Sequence, residues 1–280
     1  MTECIALASG KGGVGKTLLT AALGLALAEE GYRVLLADCD MGLRNLDIPL
    51  GMEDKLRWTV WDLAQGKCLE KEAVLPVREN LDLLTASGEE EWKEISRHVL
   101  FTVFEDMQGK YDYILLDCPA GAGKGIRFAE SAADRFLLIV SPSRASLRDA
   151  ETMAGLLQEK GRPFAVILNR CGGGPVAADA MREALKTFPL AGAVPYSAEA
   201  DRLAQQGKLA ACGKGSAFRE AAALLAKVLT RGAEYPVSRW KKLEEQAALE
   251  EPLPARETAA RPVSALLRQR RETALRWRRR

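Results

Sequence analysis

Histidine is almost missing: the 280 residues hold one, His98. A histidine metal centre or a Ser–His relay needs partners at defined spacing, and His98 has only Trp92, Ile95 and Val99 around it. It therefore reads as a structural residue on a helix. The six cysteines stand at 4, 39, 68, 118, 171 and 212 with no C-x-x-C pair. That excludes a zinc ribbon, a redox dithiol and a disulfide framework, and fits a reducing compartment. No run of 18 apolar residues occurs, so no membrane-spanning helix is expected. The first apolar stretch opens almost at Met1, leaving no room for a signal peptide, and a cytoplasmic protein is expected. Internal repeats are also absent.

What is present is apolar material, 48% of residues, enough for one α/β domain of about 230 residues. The formal charge of +2 hides an asymmetry. From Arg261 to Arg280 there are eight arginines and one glutamate, so the first 260 residues carry 32 basic and 37 acidic side chains. A mildly acidic globule precedes a strongly basic end.

Apolar runs alternate with helical patterns to about residue 230. Strands are expected at Ile5–Ala8, Arg33–Asp38, Leu81–Ala86, Tyr111–Asp117, Phe136–Val140, Phe164–Leu168 and Leu190–Val194. Helices are expected over 17–30, 90–108, 126–134, 146–159, 176–187 and 215–230. Such alternation implies a mostly parallel sheet covered by helices on both faces, with ligands at the carboxyl ends of its strands. The expected division is a domain over 1–232, a Pro-containing charged linker with a short helix over 233–262, and a basic amphipathic tail over 263–280.

The stretch from Gly10 to Thr17, GKGGVGKT, is a phosphate-binding loop placed between a strand and a helix. Gly10, Gly12, Gly13, Val14 and Gly15 supply backbone N–H groups for phosphate oxygens, helped by the positive end of the following helix. Lys16 reaches the β- and γ-phosphates, and Thr17 offers its hydroxyl to Mg²⁺. A P-loop also needs a carboxylate on a neighbouring strand, and Asp38, Asp40 and Asp117 are the candidates. Cys39 and Cys118, each next to such an aspartate, read as small buried side chains. Gly172-Gly173-Gly174-Pro175 lacks a following lysine and reads as a strand-to-helix connection.

Four stretches in order, SGKGGVGKT, DCDMGLRNLDIPLG, DCPAGAGKG and SLRDAETMAGLL, resemble the MinD branch of the MinD/ParA family of deviant Walker A ATPases. The resemblance runs from residue 3 to about 230. It implies a P-loop NTPase fold and a slow, partner-stimulated ATPase, with ATP and Mg²⁺ bound, that regulates division-site placement. It also implies a homodimer in the ATP state. Lys11 is then the signature lysine that reaches the partner's nucleotide, Asp40 orients the attacking water, and Asp117 holds the metal's water shell. Thr17, Asp40 and Asp117 form the implied metal set. Gly10 through Leu18, with Asn169 and Pro195 at the adenine, form the implied nucleotide set.

Three positions depart from the family pattern. Leu18 replaces a common hydroxyl near the α-phosphate, which implies weaker binding. Ser143-Arg144 replaces an acidic position, and Lys124 adds a cation after Asp117, both where partners read the nucleotide state. Arg44 reads either as a surface charge or as a dimer or partner contact. In the tail Val263, Leu266, Leu267, Arg270, Ala274 and Trp277 share an arc of about 100° on a helix. That stripe suits an anionic membrane surface, as the family's tail does; a solvated tail and nucleic-acid binding are the other readings. A DNA-surface partitioning ATPase and a flagellar-number regulator are the alternative functions. An iron–sulfur carrier of the same superfamily is excluded for want of its C-x-x-C.

Overall fold

The computed structural model describes residues 2–41, 43–86, 97–121, 123–171, 188–232 and 237–250. The expected Gly172–Pro175 connection, the 176–187 helix and the basic tail lie outside these residues, as do the side chains of His98 and Lys124.

Among the described residues eight strands form one sheet: β1 Glu3–Ser9, β2 Val34–Asp38, β3 Leu75–Arg78, β4 Leu81–Leu84, β5 Tyr113–Ala120, β6 Arg135–Val140, β7 Phe164–Cys171 and β8 Leu190–Pro195. Their spatial order is β3-β4-β2-β5-β1-β6-β7-β8. Every pairing is parallel except β3 with β4. The expected strands are all there, and β1, β2, β5 and β6 are buried almost end to end. Continuous apolar runs arise because helices cover both faces of a parallel sheet and leave no wet side.

β3 has no counterpart among the expected strands. Its sequence, LPVR, holds a proline and alternates half-buried with exposed residues. Proline lacks an N–H for the ladder, so it is tolerated only at an edge, which is where β3 lies. Asn80, at φ 61, closes the turn to β4, a conformation asparagine accepts more readily than most residues.

The helix α1, Lys16–Glu29, follows β1 directly, and its leucines 19, 23, 25 and 27 are fully buried. Each such leucine contributes roughly 1.5–3 kcal/mol. α1 packs on β2 and β5 and against the Ala217–Arg231 helix. From β1 the chain crosses over β5 to β2, whereas from β5 it crosses over β1 to β6. Right-handed crossovers in opposite directions put α1 and the Lys124–Ala132 helix on opposite faces. The loop after β1 therefore opens at the point where the strand order reverses, between the ends of β5 and β6. The described helices also include Arg97–Asp106, Arg144–Glu159, Ala198–Gln205 and Val237–Glu250, with short ones at Asp47–Leu50, Val60–Ala64 and Glu70–Ala73; Ala198–Gln205 and the three short ones were unforeseen from sequence.

Candidate functional site

The loop from Gly10 to Thr17 turns between β1 and α1 on left-handed residues, with Gly13 at φ 77 and Gly15 at φ 85. The Ser9 hydroxyl donates to the Lys11 carbonyl at 3.0 Å and tightens the entry. Two glycines are required by their neighbours as well. A Cβ on Gly10 would stand 2.6 Å from the Asp149 carbonyl on the Arg144–Glu159 helix. A Cβ on Gly15 would collide with the Asn169 amide. Gly12 and Gly13 are exposed, and a Cβ on either would meet nothing within 4 Å, so space is open beside this part of the loop.

Lys16 is 8% exposed, and its Nζ donates to Asp117 Oδ1 at 2.7 Å. The Thr17 hydroxyl donates to Asp117 Oδ2, also at 2.7 Å. Burial alone would lower the Lys16 pKa, but the charge and hydrogen bond of Asp117 outweigh it and the ammonium is held above its usual value. Asp117, 1% exposed, is thus the hub of the site. It does not close its strand as expected: β5 continues to Ala120, after a register shift against β1 between Leu7 and Ser9.

Asp38 lies directly across from Asp117 in the β2–β5 register. Its carboxylate accepts N–H bonds from Asp40 at 2.8 Å, Asn45 at 2.9 Å and Leu46 at 3.0 Å. Burial, then the nearby Asp117 charge, push its pKa up to about 7 against the pull of those three donors. Asp38 therefore shapes the loop that carries Asp40 and is not a free carboxylate. Asp40 is half-buried and accepts no side-chain hydrogen bond from the described residues. Its pKa is raised by burial and by Asp117, with Lys16 opposing.

Past Asp40 the loop leaves Leu43 69% exposed. Arg44, at φ 41, sets its Nε 3.1 Å from Asp47 Oδ2, an ion pair without hydrogen-bond alignment. Asn169, buried within β7 two residues before its end, donates through Nδ2 to the Val14 carbonyl at 2.8 Å, so it braces the loop from behind. Pro195 is buried at the end of β8, across the register from Cys171. Leu18 is half-buried and packs on the core. Lys11 stands exposed on the loop. Ser143 caps the Arg144–Glu159 helix by accepting from Ser146 N at 3.2 Å, which gives that departure a structural role. Cys39 and Cys118 are buried as expected, and burial raises the Cys118 thiol to about 12.

Three contributors escaped the sequence reading. Thr20, one turn along α1, sets its hydroxyl 3.2 Å from Asp117 Oδ1. Asp149 backs Gly10. Arg170, at φ 60, pairs with Asp201 at 3.0 Å beside the Tyr196 ring and stands against Gly15. Only Thr20 had a signal: a hydroxyl four residues after the P-loop lysine falls on the same helix face.

The chemistry of this donor set is that of a hard cation with phosphate. Among the described residues no three His, Cys, Asp or Glu side chains converge on one point. A hydroxyl and one carboxylate are oxygen donors of the kind Mg²⁺ takes together with phosphates and water. The residues present fit that ion and a nucleotide's phosphates.

Residues 5–210 match the family described as the CobQ/CobB/MinD/ParA nucleotide binding domain. A putative septum site-determining protein MinD from Oltmannsiellopsis viridis is 42% identical over 160 residues, covering 56% of this chain and 51% of that protein. The chain thus spans about half the length of that curated relative. Among solved structures, the MinC:MinD cell division protein complex of Aquifex aeolicus superposes with a TM-score of 0.77 at 33% identity, covering 85% of this chain and 99% of that one. The septum site-determining protein MinD of Pyrococcus horikoshii, complexed with Mg-ADP, gives 0.70 at 30% identity over 82% and 97%.

Proposed function

We propose, on the premise that the chain belongs to the MinD/ParA family of nucleotide-binding proteins, that it is a MinD-type ATPase that dimerises around ATP and takes part in placing the division site. The observation that carries this reading is the convergence of Lys16 and Thr17 on Asp117 beside a glycine loop with open space at Gly12 and Gly13.

The backbone N–H groups of Gly12 through Thr17 bind and orient the phosphates. Lys16 exchanges Asp117 for the β- and γ-phosphate oxygens. Thr17 and Asp117 would hold Mg²⁺ there, the hydroxyl as an oxygen donor and the carboxylate through water. Bound there, Mg²⁺ would offset charge on the phosphate oxygens. Asp40, on a loop pinned by Asp38, has the uncommitted carboxylate needed to orient water. Asn169 and Pro195, near the ends of adjoining strands, are the adenine side of the site.

Lys11 is the exposed cation of the loop and has no side-chain partner among the described residues. In trans it would neutralise charge developing on a partner protomer's phosphates, as an arginine finger does. That makes hydrolysis conditional on dimerisation. The partner class is a division regulator, as MinC is for the Aquifex protein, and the basic tail is the membrane attachment.

The test is Mg²⁺-dependent ATP hydrolysis by the purified chain, with sedimentation in a slowly hydrolysed ATP analogue. Lys11→Ala should lose the ATP-dependent dimer and most turnover while keeping nucleotide binding through Lys16. An unchanged dimer with unchanged turnover would assign Lys11 to the turn alone.

A further inference from the structure

Lys16 Nζ stands 2.7 Å from Asp117 Oδ1, and as it turns to a phosphate that contact lengthens, so nucleotide entry weakens a charged donor's hold on a carboxylate that is almost wholly buried. Leaving such a group short of donors is unfavourable. We infer that the Thr20 hydroxyl is a rotary donor that takes over Asp117 Oδ1 when Lys16 moves to the nucleotide. The inference rests on the nucleotide reading above and adds a positioning residue to it.

Thr20 is fully buried on α1, four residues after Lys16. Its Oγ1 lies 3.0 Å from the Lys16 carbonyl and 3.2 Å from Asp117 Oδ1. A hydroxyl has one proton and serves one of these acceptors at a time. With Lys16 Nζ already 2.7 Å from Oδ1, the hydroxyl is free to back-bond to its own helix, as buried threonines do.

The two acceptors are not equal once Lys16 leaves. The Lys16 carbonyl keeps its ordinary helix bond, because in an α-helix the N–H of residue 20 points to the carbonyl of residue 16. Asp117 Oδ1 has no such reserve. A rotation about one bond, with no heavy atom displaced, moves the proton from the satisfied acceptor to the charged one. The carboxylate would then keep its orientation beside Thr17, where Mg²⁺ would be held. The hydroxyl matters little to the nucleotide-free protein and more to the loaded one, which separates positioning from packing.

The experiment compares the full chain with Thr20→Val, Thr20→Ser and Thr20→Ala. ADP titrations are run in excess Mg²⁺ and again in EDTA, alongside melting of the nucleotide-free proteins. Thr20→Val should bind Mg-ADP about tenfold more weakly, the effect of one hydrogen bond to a charged group. Thr20→Ser, which keeps the hydroxyl, should stay within about threefold of the parent. The deficit of Thr20→Val should shrink in EDTA. Thr20→Ala carries the same expectation without a methyl beside the carboxylate, and stands in if the valine does not fold. Parental Mg-ADP affinity in both Thr20→Val and Thr20→Ala, or equal weakness in Thr20→Ser, overturns the inference. A parent chain that binds no Mg-ADP instead removes the nucleotide reading on which it stands.

Discussion

Asp38 and Asp40 are two residues apart, yet their surroundings divide the work between them. Asp38 spends both oxygens on three backbone N–H groups, whereas Asp40 keeps its carboxylate uncommitted. Asp40→Ala should therefore lower ATP turnover by roughly 10²-fold or more, the usual range for a water-activating group, while ADP binding and melting temperature stay near the parent's. Asp38→Ala should behave differently. It strands buried N–H donors at about 1–3 kcal/mol for each unsatisfied group, so the protein should melt earlier. Calorimetry and a phosphate-release assay distinguish the two patterns. Normal turnover in Asp40→Ala would send the water to another residue. The sequence shows two aspartates at a strand end; which of them is free is a matter of loop folding, and no local pattern encodes it.

At the scale of elements, the loop after β2 is joined to the end of the Ala198–Gln205 helix by two facing glycines. A Cβ on Gly51 would stand 2.5 Å from the Gly207 carbonyl oxygen, and Gly51 also sits at φ 66. Gly51→Ala thus meets two costs, about 1–2 kcal/mol for the left-handed backbone and about 1–3 kcal/mol for overpacking. Gly66, at φ 70, has open space around it, so Gly66→Ala meets only the first. At roughly 2–4 °C per kcal/mol in a chain of this size, Gly51→Ala should melt several degrees below Gly66→Ala. Equal melting temperatures would show that the two glycines are not packed together. The same logic explains which elements were legible. Long strands and helices carry a period; β3 and the Ala198–Gln205 helix are short, and tertiary contacts select them.

The whole molecule pairs an acidic globule with a basic end. Eight arginines fall in the last twenty residues, beyond the described part, and among the described residues no helix is long and apolar enough to cross a membrane. A short amphipathic helix with a modest apolar stripe binds a bilayer weakly and reversibly, and each arginine adds about 1 kcal/mol near an anionic surface. On the proposed reading, two tails carried by one ATP-bound dimer would act together, with avidity gains of roughly 10²–10⁴ and no new contact. Co-sedimentation with anionic phosphatidylglycerol vesicles should then require ATP, weaken with salt, and vanish in a chain truncated after Ala260. Binding that survives truncation, or that is equal in ATP and ADP, rules the mechanism out.

From residue order alone come the sheet's seven apolar strands, the phosphate loop and its lysine, and the two strands that bring aspartates beside it. These are legible because period and glycine spacing act within a few residues of chain. The family resemblance rests on the same local stretches. Tertiary structure decided the rest: that Lys16 and Thr17 meet on Asp117 a hundred residues away, that Asp38 is consumed by a loop, and that Asn169 braces Val14. It also placed Thr20 beside Asp117. The Asp38 case depends on how one loop folds, and the others on contacts between elements distant in sequence. A hydrogen bond forms only within about 3.5 Å, and such proximity follows from how the sheet closes.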